Sequence, residues 1–486
     1  MEPWCPSAIE RAMERPMPKP LPFLCASALA LSLTACAGTI NNSTADTASN
    51  VTFTFTDSGV TAAGETDTGY EIDGTALTIA SSGTYTVSGS CADGSIKVKK
   101  STTGVTLVLD GLTLTSENTA AITCGKSSEV TILVSNGTEN SLSDTEQNND
   151  DNYPENENAE NAVIKCKDGS HVTLCGDGEL TITANGKNGI KSGATTDEDG
   201  EASLTIRDLT LNIDAPVNDA INAEQLLNVE SGTLTIDAAD DAIHCDLVLN
   251  IGTDGTDGPT IDACSSAGDG FDSNGGLTIT GGTEVVWTDN TADNGPLDAD
   301  GTITVSGGTV LAAGGSSGMG MNLEAAQPCV IYGSTGFGGM PGSTQSSLIA
   351  ADADFTIEDA DGNAVYSGTA RCGANFILFS SADVVADSAY TLKAGDSSTE
   401  GTAQSGTVST GMGMGGGFPG GGQKPDGEPP ESFDGQMPNG EKSELPDGEV
   451  PEMPSGERPT PPSGQGSPAD GNAPAGDSTS DTTPTA

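Results

Sequence analysis

Short parallel strands stacked into an all-β solenoid, a parallel β-helix with three strands to each coil, are what this sequence predicts. Three observations carry that prediction. The first is a recurring phrase: Asn218-Asp219-Ala220-Ile221-Asn222, Asp240-Asp241-Ala242-Ile243-His244, Gly268-Asp269-Gly270-Phe271-Asp272 and Asn294-Gly295-Pro296-Leu297-Asp298, with shorter copies at Ala162-Val163-Ile164-Lys165 and Asn188-Gly189-Ile190-Lys191. The second is its spacing. The apolar anchors Ile164, Ile190, Ile221, Ile243, Phe271 and Leu297 follow one another at steps of 26, 31, 22, 28 and 26 residues, the jittered period of a stacked repeat. The third is what lies between them: alternating triplets such as Leu204-Thr205-Ile206, Leu227-Asn228-Val229, Leu249-Asn250-Ile251 and Leu277-Thr278-Ile279, and a second set such as Leu211, Leu234 and Ile236 after turn residues. Period-two alternation punctuated by Gly, Asp, Asn and Ser means short strands joined by turns. A sandwich of hairpins is the competing arrangement, but it calls for two-residue turns and no phrase that returns at one point of each unit.

The anchored repeats run from about Val105 to about Tyr332. Before them, residues 51–100 alternate without the anchor phrase and are expected to cap the stack, since an open end exposes unpaired backbone. An acidic, Asn-rich insertion, Asn136 to Asn161, reads as a solvated loop. Residues 333–347 form a Gly-rich loop, and residues 348–396 hold the alternating strands expected to close the C-terminal end. The β-helix domain is therefore placed at 51–400. From 401 to 486 the chain is Gly, Pro, Ser and acid, a composition that cannot bury a core, so a disordered tail is expected there.

The 486 residues carry 70 acidic against 17 basic side chains, a net charge of −53. That excess disfavours nucleic acid and anionic membrane surfaces as partners and suits a chain that meets cations. A short positive start at Met17 to Lys19 precedes the apolar run Leu21 to Leu33, which ends in Leu33-Thr34-Ala35-Cys36, a sequence like the bacterial lipobox. Residues 1–36 are thus expected to be a lipoprotein signal peptide with Cys36 as the acylated residue, and 37–50 a tether. Residues 1–16 look like the product of a misplaced start codon. The expected location is the extracellular face of the bacterial cell membrane, lipid-anchored, with the protein a monomer. Beyond Cys36 lie Cys91, Cys124, Cys166, Cys175, Cys245, Cys264, Cys329 and Cys372. An exported chain permits disulfides among them. Cys124 and Cys166 both follow an anchor by two residues, so stacking would bring them to disulfide range or into a column of buried thiols.

In a stack, residues at equal offsets from the anchor form columns. Offsets +1 and +3 face outward: Lys165 and Lys167, Lys191 and Gly193, Asn222 and Glu224, His244 and Asp246, Asp272 and Asn274, Asp298 and Asp300. A basic end grades into an acidic ladder. Carboxylates one strand apart repel, and calcium, which takes six to eight oxygen ligands, would compensate them. Asp272, Asn274, Asp298 and Asp300 are the densest set, with Asp246 and Asp269 as neighbours. The alternative reading of the Asp and Asn residues is that they only make turns and cap strand starts.

The phrases Asp-Asp-Ala-Ile-His and Gly-Asp-Gly-Phe-Asp-Ser-Asn-Gly, spaced by Gly-x-Leu-Thr-Ile, resemble the bacterial carbohydrate-binding domain-containing β-helix family over about residues 51–395. These are surface proteins with a right-handed parallel β-helix like that of pectate lyases. The resemblance implies polysaccharide binding, including acidic plant polymers, with calcium in acidic turns, and it transfers to Asp241, Asp269 and Asp272. Where related sequences tend to have Gly before the anchor, this chain has Ala242 and Pro296. The implied function is non-catalytic, calcium-dependent polysaccharide binding at the cell surface. Lys191, Asn222, Glu224, His244 and Trp287 are the expected carbohydrate contacts, Trp287 as an aromatic platform. A calcium-dependent polysaccharide lyase is the alternative, with Lys165, Lys167 or Lys191 as base. A structural spacer or adhesin is a third reading.

Metabolic labelling with a fatty acid should mark the wild-type protein and leave Cys36→Ser unlabelled. A label that survives the substitution rules out acylation at Cys36.

Overall fold

A computed structural model of the protein describes residues 49–409, apart from 65–67, 197–199, 254–256, 291–293, 316–320 and 334–346. The expected signal peptide with Cys36, most of the expected tether, most of the Gly-rich loop and the chain from 410 onward lie outside the described residues. Those described are all-β, without a helix.

Strands separated by two others in the chain pair in parallel, so the chain visits three ladders in turn. The anchor ladder runs Ile122–Cys124, Ala162–Cys166, Asn188–Ser192, Ile221–Ala223, Ile243–Cys245, Phe271–Ser273 and Leu297–Ala299. A second runs Ser203–Arg207, Leu226–Val229, Val248–Ile251, Gly276–Ile279 and Ile303–Val305. A third runs Thr210–Ala215, Thr233–Ala238, Thr260–Ser265, Thr283–Trp287 and Thr309–Gly314.

The register is strict. Ile164, Ile190, Ile221, Ile243, Phe271 and Leu297 face one another rung by rung, and all are buried. The second ladder stacks Leu204, Leu227, Leu249, Leu277 and Ile303 in the same way. Side chains from all three ladders meet in one hydrophobic core. Each fully buried aliphatic contributes about 1.5–3 kcal/mol that no single rung could gain alone. Pro296 does not break the last rung. It has no N–H to give, but its carbonyl accepts from Phe271 N at 3.1 Å, as Gly270 O accepts from Ile243 N at 3.0 Å.

The stack begins earlier than the anchor phrases suggest. Ala76–Ile79 and Ser95–Val98 already belong to the anchor ladder, and Gly83–Cys91 pairs in parallel with both Ser49–Thr56 and Val105–Ser116. Only two antiparallel hairpins, Ser49–Thr56 with Gly59–Gly64 and Tyr70–Asp73 with Ala76–Ile79, have the character of a cap. The acidic insertion is also more ordered than a solvated loop. Its first part, Glu139–Asp144, is a parallel strand. Buried Asn148 then ties the remainder down by donating to Asp144 Oδ2 (2.8 Å) and Ala162 O (2.9 Å) and accepting from Glu160 N (2.7 Å).

At the far end, Phe376–Ser380 runs antiparallel to both Thr309–Gly314 and Asn322–Gly333, covering edges that parallel stacking leaves open. Order continues past the expected limit at 400. Gln404–Ser409 pairs antiparallel with Asn322–Gly333, held by buried Ala403 and Val408. A separate antiparallel sheet of Ala364–Thr369, Asp354–Glu358, Ala389–Ala394 and Ser397–Thr402 carries a second core against the outer side of the third ladder.

One rung breaks the pattern. The inward column of the third ladder reads Leu211, Leu234, Ile261, Glu284 and Val310. Glu284 is 0% exposed and neither carboxyl oxygen has a partner. Burial raises its pKa to about 9, so it is protonated at neutral pH. Because the folded value lies above the ordinary 4.5, stability is fully present below that value and is lost as pH rises toward 9, with a cost of about 3 kcal/mol already incurred at pH 7. Glu284→Leu should therefore raise the melting temperature at pH 7 and remove most of the fall between pH 5 and 9, as followed by circular dichroism. Equal pH profiles for both proteins would place the carboxyl in contact with water.

Candidate functional site

The strict register carries the outward positions with it. Lys165, Lys191, Asn222, His244, Asp272 and Asp298 stack in one column. Successive +3 positions follow, with Glu224 N on Ser192 O, Asp246 N on Ala223 O, Asn274 N on Cys245 O and Asp300 N on Ser273 O.

Neighbouring rungs neutralise one another along this face. Lys191 Nζ reaches Glu224 (3.0 Å) and Asn222 Oδ1 (3.1 Å), and Asn222 donates to Asp219 Oδ2 at 2.6 Å. His244 links its own rung to the next. Its Nδ1 lies 2.6 Å from Asp272 Oδ2 and 3.3 Å from Asp241 Oδ2, and its Nε2 lies 3.1 Å from Asp246 Oδ1. Hydrogen bonds to Asp241 and then Asp272 raise its pKa to about 11, so the imidazolium persists at neutral pH. Asn274 donates to Asp246 Oδ1 at 2.6 Å.

The column two residues before the anchor has a structural task. Asp219 Oδ1 accepts from Asp241 N (3.2 Å), Asp241 Oδ1 from Asp269 N (2.7 Å), and Asp269 Oδ1 from Gly295 N. Each carboxylate caps the strand start of the following rung, as the turn-making reading expects.

The six expected metal ligands do not converge as a set. Asp269, Asp272 and Asp298 present carboxylate oxygens within 4.8 Å of one another. Asp246 and Asn274 pair with each other, and Asp300 is exposed beyond the strand end. The reason is geometric: offset +3 falls after a three-residue strand, where the chain turns and the side chain splays outward. Within the triad, burial first, then the neighbouring carboxylates, raises Asp269 to about 7 and pushes Asp298 upward, by Asp272 foremost.

Trp287 is not a platform for sugar. It is 1% exposed, set edge-on to Phe355 with ring centroids 6.0 Å apart. Alternation along Thr283–Trp287 does turn it out of the main core, but the C-terminal sheet covers it there.

A recess of about 580 Å³ opens at the opposite end of the face, bordered by Lys97, Thr123, Lys167, Asn118, Asn158 and Glu160. The insertion forms one wall. Asn156 Nδ2 donates to Asn118 O (2.8 Å) and Gln147 O (2.7 Å), and Lys167 pairs with Glu160 at 2.7 Å. Sequence reasoning passed over Lys97 and Thr123, although Ser95-Ile96-Lys97-Val98 repeats the Ile-Lys pair of Ile164-Lys165 and Ile190-Lys191. Its acid, Asp93, stands three residues before the anchor instead of two, so the phrase is not repeated in full.

Residues 73–248 match the protein-family model described as "Carbohydrate-binding domain-containing protein". A protein of the same description from Acetivibrio thermocellus is 38% identical over 114 residues, which is 22% of this chain and 37% of that protein. The matched stretch thus spans little more than a third of the relative. Among solved structures, the polysaccharide lyase-like protein from C. thermocellum, as a gadolinium derivative, aligns with 53% of this chain and 92% of its own at a TM-score of 0.34 and 24% identity.

The raised values of Asp269 and Asp298 add a smaller contribution to that of Glu284 in the pH response of the metal-free protein. Groups whose folded pKa exceeds the ordinary carboxylate value contribute stability that is lost as pH climbs through the folded value, which for Asp269 is about 7. In chelator, Asp269→Asn with Asp298→Asn should flatten the loss of melting temperature between pH 5 and 8. A double variant with an unchanged slope would mean that the triad is well solvated.

Proposed function

We propose that this chain binds polysaccharide without cleaving it, along the outward face of the anchor ladder. The three ladders form a right-handed parallel β-helix with three strands per coil, held outside the bacterial cell by a lipid on Cys36. The observation that carries the binding reading is the recess at Lys97, Thr123 and Lys167. It lies inside the stretch matched to the carbohydrate-binding description, and it offers ammonium, hydroxyl and amide groups on a flat ladder, the donors and acceptors that sugar hydroxyls and uronate carboxylates require. Lys191, Asn222, Glu224 and His244 extend the face towards its acidic end, but each is already engaged by a neighbour.

Calcium fits the acidic end. Asp269, Asp272 and Asp298 supply oxygen donors only, at one site, and Asp269 and Asp298 are poorly solvated carboxyls in need of a counter-charge. These three would hold the ion, which would give an acidic glycan a bridge to a face that otherwise repels it. A spacer or adhesin role would use the same scaffold without the recess. The lyase reading needs an unengaged base beside the metal. Lys191 and Lys167 are tied to Glu224 and Glu160, Lys165 stands four rungs from Asp272 in the ladder, and Arg207 is on the second ladder with Asp208 and Glu230.

A glycan array with and without chelator tests this reading. Lys97→Ala with Thr123→Ala should weaken binding of a retained glycan about tenfold, as expected for losing one charged and one neutral hydrogen bond. Calcium should raise the melting temperature of wild type but not of Asp269→Asn with Asp298→Asn. Incubation with polygalacturonate and calcium should produce no unsaturated-product absorbance. Binding that ignores the Lys97 variant, or a rise in that absorbance, overturns the proposal.

A further inference from the structure

Cys264 and Cys372 lie 108 residues apart in the chain, yet their sulfurs are 3.4 Å apart. Cys264 sits on the third-ladder strand Thr260–Ser265, faces outward, and stacks directly on Trp287. Cys372 arrives from the C-terminal sheet, between Ala364–Thr369 and Phe376–Ser380. Both thiols border the second core and both are partly exposed. The contact is held from both sides. Arg371, the residue before Cys372, pairs with Asp262 Oδ1 at 2.9 Å and with Asp237, outward-facing residues of adjacent third-ladder strands.

The other close thiols provide a contrast. Cys124 and Cys166 are registered on adjacent rungs but are both fully buried inside the main core. A hydrogen bond with Cys166, then burial, pushes the Cys124 thiol well above its ordinary value. Exchange also needs access to an oxidant, and full burial denies it to this pair.

We propose that Cys264 and Cys372 form a disulfide that pins the C-terminal antiparallel sheet over Trp287 to the outer side of the third ladder. The oxidant is a disulfide, of a small thiol or of an exchange protein. The Cys372 thiolate attacks one sulfur of that disulfide, forming a mixed disulfide and releasing the first oxidant thiolate. Cys264 then passes its proton to a released thiolate and attacks the Cys372 sulfur, expelling the second. Two thiols of the chain lose two protons and two electrons, and the oxidant disulfide becomes two thiols. Cys372 is suited to the first attack. The hydrogen bond from Cys264 and the charge of Arg371 outweigh partial burial and lower its pKa to about 7. Closing the bond requires the sulfurs to approach by roughly a further ångström, within the reach of side-chain rotation.

The test uses the full chain equilibrated with oxidised glutathione, alkylated, digested and mapped without reduction. A peptide joining Cys264 to Cys372 is expected, with Cys124 and Cys166 carrying the alkyl label. Dithiothreitol should release the peptide and lower the melting temperature of the oxidised chain by about 5 °C. Cys264→Ser and Cys372→Ser should melt with the reduced wild type and ignore dithiothreitol. If either variant fails to fold, the wild-type map decides alone. Alkyl label on both Cys264 and Cys372 after oxidation, or glutathione retained on Cys372 without closure, overturns the bond. A cross-link that leaves melting unchanged overturns its pinning role.

Discussion

One constraint governs the rest of this protein: at every rung the anchor must point into the common core. The anchor strands of the later rungs are only three residues long, as at Ile221–Ala223, Ile243–Cys245 and Phe271–Ser273. A slip of one residue would turn Ile243 out and His244 in. Steps between 22 and 31 residues are tolerated because connecting segments absorb the variation. The register itself is not free to vary, and so every position at a fixed offset from the anchor acquires a neighbour one strand spacing away, about 4.8 Å.

For an acidic chain that consequence is expensive, and the face of the anchor ladder shows how it is met. Where cations are at hand, charges alternate between rungs, as Lys191 does with Glu224. In the capping column, each aspartate turns one oxygen to the backbone N–H of the following rung, so Asp219, Asp241 and Asp269 use their neighbour's peptide group as a partner. At Asp241, Asp246 and Asp272 a single imidazolium, His244, serves three carboxylates. The compensation is incomplete on both sides of His244: burial raises Asp219 to about 6 before it, and Asp269 to about 7, with Asp298 also pushed up, beyond it. The position proposed for calcium is thus one where internal compensation falls short, a firmer ground than a count of acidic residues.

How far the fold was legible follows from the same constraint. Parity along a strand and the return of a phrase are local properties of sequence, so the inward columns could be read from Ile164 to Leu297. The rungs at Ala76–Ile79 and Ser95–Val98 carry their acids, Asp73 and Asp93, four and three residues before the anchor rather than two, and so hide the phrase, although stacking needs only the apolar alternation of Leu77, Ile79, Ile96 and Val98. Asp300 and Asn274 were assigned to a site on offset alone. Offsets tell which way a residue points while the strand lasts, and at +3 it has ended. Trp287 failed for a different reason. The run Glu284-Val285-Val286-Trp287 leaves its direction ambiguous in the sequence; in the fold it points outward, and a sheet built from residues about 65 to 115 positions later covers it, which no local pattern announces.

Glu284 and Trp287 share one strand and depart from expectation in opposite senses, a carboxyl inside and an indole hidden outside. Their position is informative. The stretch matched to the carbohydrate-binding description ends at 248, and within it the inward polar residues Asn140 and Asp144 are hydrogen-bonded, unlike Glu284. The triad of Asp269, Asp272 and Asp298, the buried Glu284, the covered Trp287 and the Cys264–Cys372 contact all fall after it or reach back from beyond it. A stack must stop somewhere, and its last rungs face a different requirement from those in the middle: they support a cover as well as each other. The outer side of the third ladder has accordingly become a second interior, with Arg371 holding Asp237 and Asp262 at its margin. The recess at Lys97 lies among the earlier rungs, walled on one side by the insertion. The recess proposed for binding and the C-terminal cover thus occupy opposite ends of the stack.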